Sequence, residues 1–517
     1  MLDLVVRDAL LLDGSGDPPV VGSIGIERDR VARVDVGEGD GRGMLDAART
    51  IDGAGLALAP GFIDVHNHSD LSPLILPEMP STIRQGVTTV VVGNCGSSPY
   101  PLAGLADAIW LANGGVEEVP RPAWTSYGDY LDAIAAARPA VNVATLVGHG
   151  SVRHEVLGLD RRPPTTAELA RMRALVTEAI DAGAFGVSTG LIYVPGLFSA
   201  TDEIVAVAEA AAHAGGLYAS HIRGEARTLF AAIEEALTVG ARAGLPVHIS
   251  HLKCDGAHVW GRSAELLERL HAAPDASADQ YPYTAWNSSL ASLLPAWAPV
   301  GDLERLARTD HERLEAAVSE EIDGVGWERI VVIQTSDPRW NGMDVASIAE
   351  GLGEDPIDAF VRLLVADPTS SIVGHAMRED DVEAILGDPA VFVASDASAT
   401  APDGTGGDHP VHPRDYGTFP RALALARDRA LLPLETVVRK MTSLPAERFG
   451  LRDRGVLRAG TFADLVLFDP AGVRDVSTYE ASHAFPVGIE LVVVNGTVAW
   501  EPSDASRIHR NGAVLRR

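Results

Sequence analysis

The sequence predicts an α/β protein in which a (β/α)₈ TIM-like barrel is flanked by a small β-sandwich domain and carries an inserted lid segment. Two observations predict this architecture: short strand patterns fill both ends of the chain, and apolar strands alternate with amphipathic helices in the middle. The chain has 517 residues, of which 46% are hydrophobic and 22% charged, so it can bury a large core.

Residues 1–59 and 453–517 are predicted to be the two parts of the β domain. Short strand patterns at residues 4–6, 23–26 and 30–34 are separated by Gly, Asp and Pro turns. The C-terminal part has similar runs, one of which contains an Asn-Gly pair typical of a hairpin. Because the termini of a domain often lie close together, we expect the two parts to pair into one domain.

Residues 60–452 are predicted to form the barrel. Helical patterns at residues 167–182 and 226–243 carry apolar residues along one face. They alternate with apolar strand-like runs, which begin at residues 87, 141, 185, 216, 246, 276, 371 and 391. Such runs indicate parallel strands buried on both faces, and about eight units favour a closed barrel over an open sheet, although the count does not exclude the latter.

Residues 286–345 interrupt this alternation and are predicted to be an inserted lid or subdomain. The segment is rich in Trp and Pro at its start and in charged residues later. Its tryptophans, Trp286, Trp297 and Trp340, either cover a site with an apolar wall or form the core of the insert itself.

The charge and the cysteines limit the partners and the compartment. With 42 basic and 71 acidic residues, the net charge of −29 argues against a nucleic-acid or anionic-membrane partner. Cys95 and Cys254 are too few for a disulfide framework and suit a reducing compartment. The N-terminus lacks a signal-peptide pattern, and no apolar run reaches the roughly 18 residues of a membrane span. We therefore expect a cytoplasmic protein; the oligomeric state stays open.

Polar residues at the ends of the apolar runs predict a metal site. His66 and His68 are two residues apart and would share one face of a strand end. Cys95, His221 and His251 end three later runs. In a barrel these ends meet at one rim, and a thiolate with imidazoles suits Zn²⁺. A lone His-x-His or a lone cysteine is more often structural, so the convergence of five residues carries the prediction.

Asp396 ends the run that begins at residue 391 and is predicted to be the proton carrier of the site. A carboxylate beside a metal can accept a proton from water and pass it to a departing amine. The structural alternative for Asp396 is a helix N-cap. The chain has only two lysines, Lys253 and Lys440, so a carboxylated lysine that bridges two metals has no candidate at residues 185–190. Cys95 is the obvious substitute as a bridging or terminal anion.

Several motifs follow one another along the chain. They are Pro-Gly-Phe-Ile-Asp-Val-His-Asn-His at 60–68, Val-Gly-Asn-Cys-Gly at 92–96, Ser-His-Ile-Arg-Gly-Glu at 220–225, Ile-Ser-His-Leu-Lys at 249–253, Gln-Tyr-Pro-Tyr-Thr-Ala at 280–285, His-Pro-Arg-Asp-Tyr-Gly-Thr-Phe-Pro-Arg at 412–421 and Ala-Asp-Leu-Val-Leu-Phe-Asp-Pro at 463–470. In this order the motifs resemble the amidohydrolase superfamily and, within it, the N-acyl-D-amino-acid deacylase (D-aminoacylase) family. The resemblance covers nearly the whole chain.

The resemblance implies a zinc-dependent hydrolase of the amide bond of N-acyl-D-amino acids, or of small peptides with a C-terminal D-residue. It implies one tight zinc held by Cys95, His221 and His251, and a second, weaker position at His66 and His68. Asp396 would be a metal ligand and the catalytic acid/base. The substrate carboxylate would be bound by Lys253, Tyr283 and Arg414, with the hydroxyl of Ser288 nearby; an Arg fork and an ammonium suit a carboxylate.

One departure and two alternatives leave part of this interpretation open. The family usually has Ser-Asp-Gly where this chain has Ser395-Asp396-Ala397, which puts substrate choice in question more than reaction type. A cyclic amide hydrolase of the hydantoinase or dihydroorotase kind is disfavoured by the missing lysine. A non-catalytic scaffold of the same fold is disfavoured because every candidate ligand is present. The preferred acyl group and side chain and the number of bound metals stay open.

Overall fold

A computed structural model describes residues 1–37, 47–101, 123–273, 275–322, 324–403, 407 and 409–517. Both chain ends contribute to one eight-stranded mixed sheet. Its N-terminal strands are β1 (Leu2–Leu11), β2 (Val20–Glu27), β3 (Arg30–Val36), β4 (Ala47–Asp52) and β5 (Ala57–Pro60), and its C-terminal strands are β18 (Leu465–Phe468), β19 (Ile489–Val494) and β20 (Thr497–Trp500). The order is β20-β19-β18-β5-β1-β2-β3, with β4 beside β1.

This sheet folds back on itself around its own apolar core. Arg30, at the start of β3, forms a bridge with Phe462, just before β18. Alternate residues of the strands, such as Leu4 and Val6, are buried inside together with Leu465 from the C-terminal part. The prediction that both chain ends build one β domain is confirmed.

The barrel strands pair in parallel and alternate with helices, as the apolar runs predict. They are β6 (Phe62–Asp64), β7 (Val87–Val92), β8 (Asn142–Thr145), β9 (Val147–Gly148), β10 (Gly186–Gly190), β11 (Leu217–His221), β12 (Val247–Ile249), β13 (Ala276–Gln280) and β17 (Val391–Val393). Only Leu146 separates β8 from β9, so these two occupy one of eight strand positions. The circle closes where Asn67 bridges Ala397 in parallel and the Asp396 N–H donates to the His66 carbonyl at 2.8 Å.

The helices are α1 (Ser72–Ile75), α2 (Pro80–Ile83), α3 (Tyr127–Ala137), α4 (His149–Leu157), α5 (Thr166–Ala182), α6 (Thr201–Ala212), α7 (Leu229–Ala243), α8 (Ser263–His271), α9 (Leu303–Thr309), α10 (His311–Glu321), α11 (Val345–Leu352), α12 (Pro356–Ala366), α13 (Glu379–Leu386), α14 (Arg414–Asp428), α15 (Leu434–Met441) and α16 (Ser443–Phe449). Helix α5 shows how the sequence sets its bounds. Thr165 and Glu168 form a capping box at its start, and Gly183 ends it in the left-handed conformation.

The insert differs from its predicted bounds of 286–345. Strands β14 (Trp286–Ser289), β15 (Ile330–Gln334) and β16 (Ser371–Gly374) form a separate sheet in which β16 pairs antiparallel with both neighbours. The apolar run at residues 371–375 is therefore not a barrel strand, and the insert extends to residue 374. Periodicity alone does not distinguish a barrel strand from an insert strand, because both are short apolar runs.

The insert has its own core, made by its helices and sheet, and Trp286, Trp297 and Trp340 pack against it. Trp286 also donates from its indole N–H to the Asp255 carboxylate at 3.1 Å. The tryptophans thus contribute to the core of the insert, and Trp286 additionally faces the barrel rim. Over the described part of the chain, every helix is too short or too polar to cross a lipid bilayer.

Candidate metal centre and substrate cavity

The side chains predicted to bind metal lie together at the carboxyl ends of the barrel strands. His66 follows β6, Cys95 follows β7, His221 is the last residue of β11, and His251 follows β12. Asp396 follows β17, next to His66 across the closure of the barrel. Because parallel strands end at one rim, residues separated by more than 300 positions in the sequence become neighbours.

Cys95 lies at the centre of this cluster. Its Sγ is 3.3 Å from Nε2 of His66, 3.6 Å from Nδ1 of His221 and 3.6 Å from Nε2 of His251. The facing nitrogens of His221 and His251 are 2.8 Å apart. One carboxylate oxygen of Asp396 is 3.3 Å from Nε2 of His66. Side chains that converge on one point through sulfur, nitrogen and oxygen atoms are the donor set of a borderline-soft cation.

His68 lies at the edge of the same cluster. Its Nε2 is 3.0 Å from the Asp396 carboxylate oxygen that also faces His66, and 30% of its side chain is exposed. The two histidines of the His-x-His motif thus share one carboxylate, as two side chains on one face of a strand end can.

Three of these residues have backbone conformations that residues other than glycine rarely adopt. Cys95, His251 and Asp396 have φ values of 52°, 35° and 52°, in the left-handed region. Such conformations persist where the surroundings enforce them, and they are frequent at functional sites. Asp64 fixes the loop before Asp396 because its carboxylate accepts hydrogen bonds from the backbone and the hydroxyl of Ser395.

The same geometry explains how the chain accommodates alanine in Ser395-Asp396-Ala397. The left-handed φ lies on Asp396 itself, and Ala397 has no positive φ. Ala397 instead forms the parallel bridge with Asn67, and its carbonyl accepts from the His68 N–H at 2.8 Å. A methyl group at this position therefore strains no backbone dihedral angle.

Asp279, near the end of β13, contacts the histidines of the cluster through its buried carboxylate. Its carboxylate is 3.3 Å from Nδ1 of His66 and 2.8 Å from Nε2 of His248, and it accepts from the His251 backbone N–H at 2.9 Å. Burial alone would raise the pKa of Asp279, but the charge on His66 and the hydrogen bond from His248 outweigh it and lower the pKa. This outer carboxylate orients the imidazoles, as second-shell groups do in metal sites.

The electrostatics of the cluster favour a thiolate at Cys95 and a neutral imidazole at His221. Burial raises the pKa of Cys95, but the neighbouring His66 charge and the hydrogen bonds from His221 and His251 bring it well below the ordinary thiol value. Burial lowers the pKa of His221, so this imidazole is neutral and can offer a lone pair. A thiolate and a neutral imidazole are the protonation states that a metal ion requires of its ligands.

A cavity of about 800 Å³ opens beside these donors and contains the other predicted site residues except Tyr283. Lys253 Nζ donates to Glu225 at 2.6 Å, and Arg414 Nη1 is 2.7 Å from the second oxygen of Asp396. The hydroxyls of Ser288 and Tyr193, which also line the cavity, are 3.3 Å apart. The cavity has the size of a small-molecule site.

The two tyrosines of the Gln-Tyr-Pro-Tyr motif take different directions. Tyr281 lines the cavity, and its ring lies 5.7 Å from Lys253 Nζ and 4.9 Å from Arg414 Cζ. The Tyr283 hydroxyl instead lies 3.4 Å from the Pro413 carbonyl oxygen. Tyr281 is therefore the tyrosine close to both cations, and a role for Tyr283 at the substrate stays a prediction.

Sequence analysis did not single out Glu225, Asp279, Tyr193 or Tyr281. Glu225 and Tyr281 lie inside motifs that carry the family resemblance, and Glu225 follows His221 by four residues. Asp279 is the penultimate residue of a barrel strand, close to the strand-end position by which the proposed metal donors were selected. For Tyr193, in the loop after β10, we find no signal in the sequence.

Comparisons with known proteins agree with this site. Residues 49–499 match a family model described as "Amidohydrolase family". A D-aminoacylase of Alcaligenes xylosoxydans xylosoxydans is 38% identical over 524 residues, which covers 100% of this chain and 98% of that protein.

Two solved structures are similar over 100% of both chains. One is a D-aminoacylase whose binuclear metal centre is described as having one-metal activation and second-metal attenuation; it is 35% identical, with a TM-score of 0.84. The other is an N-acyl-D-glutamate deacylase from Bordetella bronchiseptica, complexed with zinc and with a phosphonate inhibitor that mimics the tetrahedral intermediate. It is 34% identical, with a TM-score of 0.83.

Proposed function

This chain belongs to the amidohydrolase family, and we propose that it hydrolyses the amide bond of N-acyl-D-amino acids, releasing a carboxylate and a D-amino acid. The observation that carries this proposal is the juxtaposition of a Cys-His metal centre with a cavity that presents Lys253 and Arg414. The former supports amide hydrolysis and the latter supports a substrate with a free carboxylate. Relatives of full length are a D-aminoacylase and an N-acyl-D-glutamate deacylase.

The metal is zinc, and the donor chemistry of the site fits it. We propose that Cys95, His221 and His251 hold the tight ion, because their sulfur and nitrogen atoms lie within hydrogen-bonding distance of one another and the thiol pKa is low. His66, His68 and Asp396 are the donors proposed for a second, weaker position. Zinc at these donors supplies Lewis acidity toward a carbonyl and toward water.

Asp396 is the residue proposed to move the proton. One of its oxygens faces His66 and His68, and the other is bonded to Arg414. In hydrolysis its carboxylate accepts a proton from the attacking water as the new C–O bond forms. It then delivers that proton to the departing nitrogen as the C–N bond breaks, so the amine leaves neutral.

Lys253 and Arg414, both of which lie close to the Tyr281 ring, are proposed to hold the α-carboxylate of the substrate. Both cations are buried, at 3% exposure each, so their attraction to an anion is little screened. Ser288 lies on the same cavity wall as Tyr193 and is proposed as a hydroxyl contact. A carboxylate fixed at two points presents its amide to the metal centre in one configuration, which is the basis proposed for D-selectivity.

A panel of N-acetyl-D- and N-acetyl-L-amino acids tests this function. We expect release of the free amino acid from the D-series only, and loss of that activity after treatment with a chelator, with recovery on addition of zinc. Hydantoins and dihydroorotate serve as the second arm of the panel. Hydrolysis of these cyclic amides in place of the linear D-substrates would contradict the proposal.

The charges in the cavity predict a preference for D-substrates with neutral side chains. Five carboxylates besides Asp396 line the cavity: Glu225, Asp255, Glu320, Glu321 and Asp415. Of the two further arginines in the lining, Arg223 binds Glu235 through two contacts of 2.8 and 3.0 Å. We expect kcat/KM for N-acetyl-D-leucine to exceed that for N-acetyl-D-glutamate by about tenfold or more, because a second carboxylate meets like charges at Asp255 and Glu320, whereas burial raises the pKa of Asp415 to about 7. A preference for the acidic substrate would instead indicate that Arg223 or Arg227 binds the side-chain carboxylate of the substrate.

Cyclic amide hydrolysis stays the less favoured alternative, because Gly186–Gly190 provides no lysine to carry a bridging carboxylate. The cytoplasmic location expected from the two cysteines and the division of the chain at residues 60 and 453 stay predictions. Hydrolysis of small peptides that end in a D-residue also stays a prediction.

A further inference from the structure

Glu225 lies between the metal centre and the cation proposed to bind substrate. Its Oε1 accepts from Lys253 Nζ at 2.6 Å and is 2.9 Å from Nδ1 of His251. Its other oxygen is 3.9 Å from Nε2 of His221. Only 12% of the Glu225 side chain is exposed, so one buried carboxylate contacts two proposed zinc ligands and one proposed substrate ligand.

The two nitrogens of His251 face different partners. Nε2 points to Cys95 and to His221, where the donors converge. Nδ1 has two neighbours at 2.9 Å, namely the Glu225 carboxylate and the Lys253 ammonium. A neutral imidazole carries its proton on one nitrogen only, so the partner chosen by Nδ1 decides whether Nε2 has a lone pair.

The two choices have opposite consequences for metal binding. When Nδ1 donates its proton to Glu225, Nε2 is an acceptor and can bind a cation. When Nδ1 instead accepts from the Lys253 ammonium, the ring proton sits on Nε2 and faces the Cys95 sulfur, which blocks coordination. Glu225 opposes the second arrangement in two ways. Its Oε1 lies 2.9 Å from Nδ1, where it can accept the ring proton, and it accepts from Lys253 at 2.6 Å.

A second metal ion between Glu225, His221 and His251 is the alternative use of these donors. The ammonium of Lys253 already neutralises the carboxylate there at 2.6 Å, and it would repel a divalent cation at that point. The contacts therefore favour an orienting role over a ligand role.

We propose that Glu225 is a positioning residue that holds His251 in the tautomer able to bind zinc. Its carboxylate accepts from the His251 Nδ1–H and also accepts the hydrogen bond of the Lys253 ammonium, which would otherwise be donated to that nitrogen. The inference rests on the proposed function only through the zinc ion. It assigns to Glu225 the part of an outer-shell carboxylate, whose loss typically weakens metal binding by about 10- to 100-fold.

Zinc affinity, measured by competition with a chromophoric chelator, tests this proposal without any substrate. We expect Glu225→Gln to weaken zinc binding by about 10- to 100-fold. Adding Lys253→Met to that variant should recover several-fold of the loss, because the competing donor to Nδ1 is gone. Glu235→Gln is the matched control, since Glu235 is a similarly buried carboxylate that binds Arg223 and no proposed zinc ligand; its zinc affinity should equal that of the wild type.

The outcomes are distinct. Wild-type zinc affinity in folded Glu225→Gln, or no recovery in the double variant, overturns the proposal. Folding is checked by the melting temperature of the zinc-free proteins, and Glu225→Asp takes the place of Glu225→Gln if the latter does not fold, with the same criterion. If the wild type binds zinc but hydrolyses no N-acyl-D-amino acid, the proposed function fails while the result for Glu225 stands.

Discussion

Asp396→Ala is expected to lower kcat for N-acetyl-D-amino acids by about 100- to 10,000-fold, the usual contribution of a general acid/base. The carboxylate is the group placed to move a proton between water and the departing nitrogen. The burial of Asp396 raises its pKa, but the charges of Arg414 and His66 outweigh this and bring the pKa well below the ordinary value. The group is thus ionised in the resting site, ready to accept a proton.

The variant should still bind zinc, because Cys95, His221 and His251 converge without the help of Asp396. Steady-state kinetics together with the zinc content of the purified protein checks both parts of the prediction. Glu235→Gln again serves as the control and should retain kcat within a few-fold. An Asp396→Ala enzyme with near-normal turnover, or one that has lost its tight zinc, contradicts the role proposed here.

The sequence was sufficient to predict the barrel and the neighbourhood of the metal donors. Each proposed donor ends an apolar run, and the carboxyl ends of parallel strands meet at one rim. Residues at these ends are therefore expected to lie close together in space. The proximity of four side chains is therefore predictable from their positions at strand ends, without any long-range contact being known: His66, Cys95, His221 and His251. The closure of the barrel then brings Asp396 to His66 through one backbone hydrogen bond of 2.8 Å.

The contacts that could not be predicted from the sequence depend on the direction of side chains and on the geometry of loops. Glu225 and Asp279 reach the imidazoles only because their neighbouring strands pack side by side, which no local pattern records. Tyr281 and Tyr283 are two residues apart and would share a face in a strand. Here, however, the Tyr283 N–H donates to the Tyr281 carbonyl at 3.0 Å, so the chain turns and the two rings diverge.

Cys95→Ala is expected to remove the tight zinc and, with it, the activity. The sulfur lies within 3.6 Å of nitrogens from His66, His221 and His251. A thiolate contributes a full negative charge to the metal, whereas an imidazole binds a metal in its neutral form. We expect zinc affinity to fall by about 100-fold or more. Several ligands share the binding free energy of the site, and the loss of one of them removes only part of it.

The second cysteine provides a matched control for this prediction. Cys254 is also buried, but burial and the nearby Asp381 charge raise its pKa to about 12, so its sulfur stays a thiol at neutral pH. A protonated buried thiol behaves as a small apolar group, so Cys254→Ala should keep both zinc and kcat. Zinc content after dialysis against a zinc buffer distinguishes the two variants. If Cys95→Ala retains one tight zinc per chain after the same dialysis as Cys254→Ala, the Cys95 thiolate is not a zinc ligand. The ligands of the metal centre would then be the histidines and Asp396 alone.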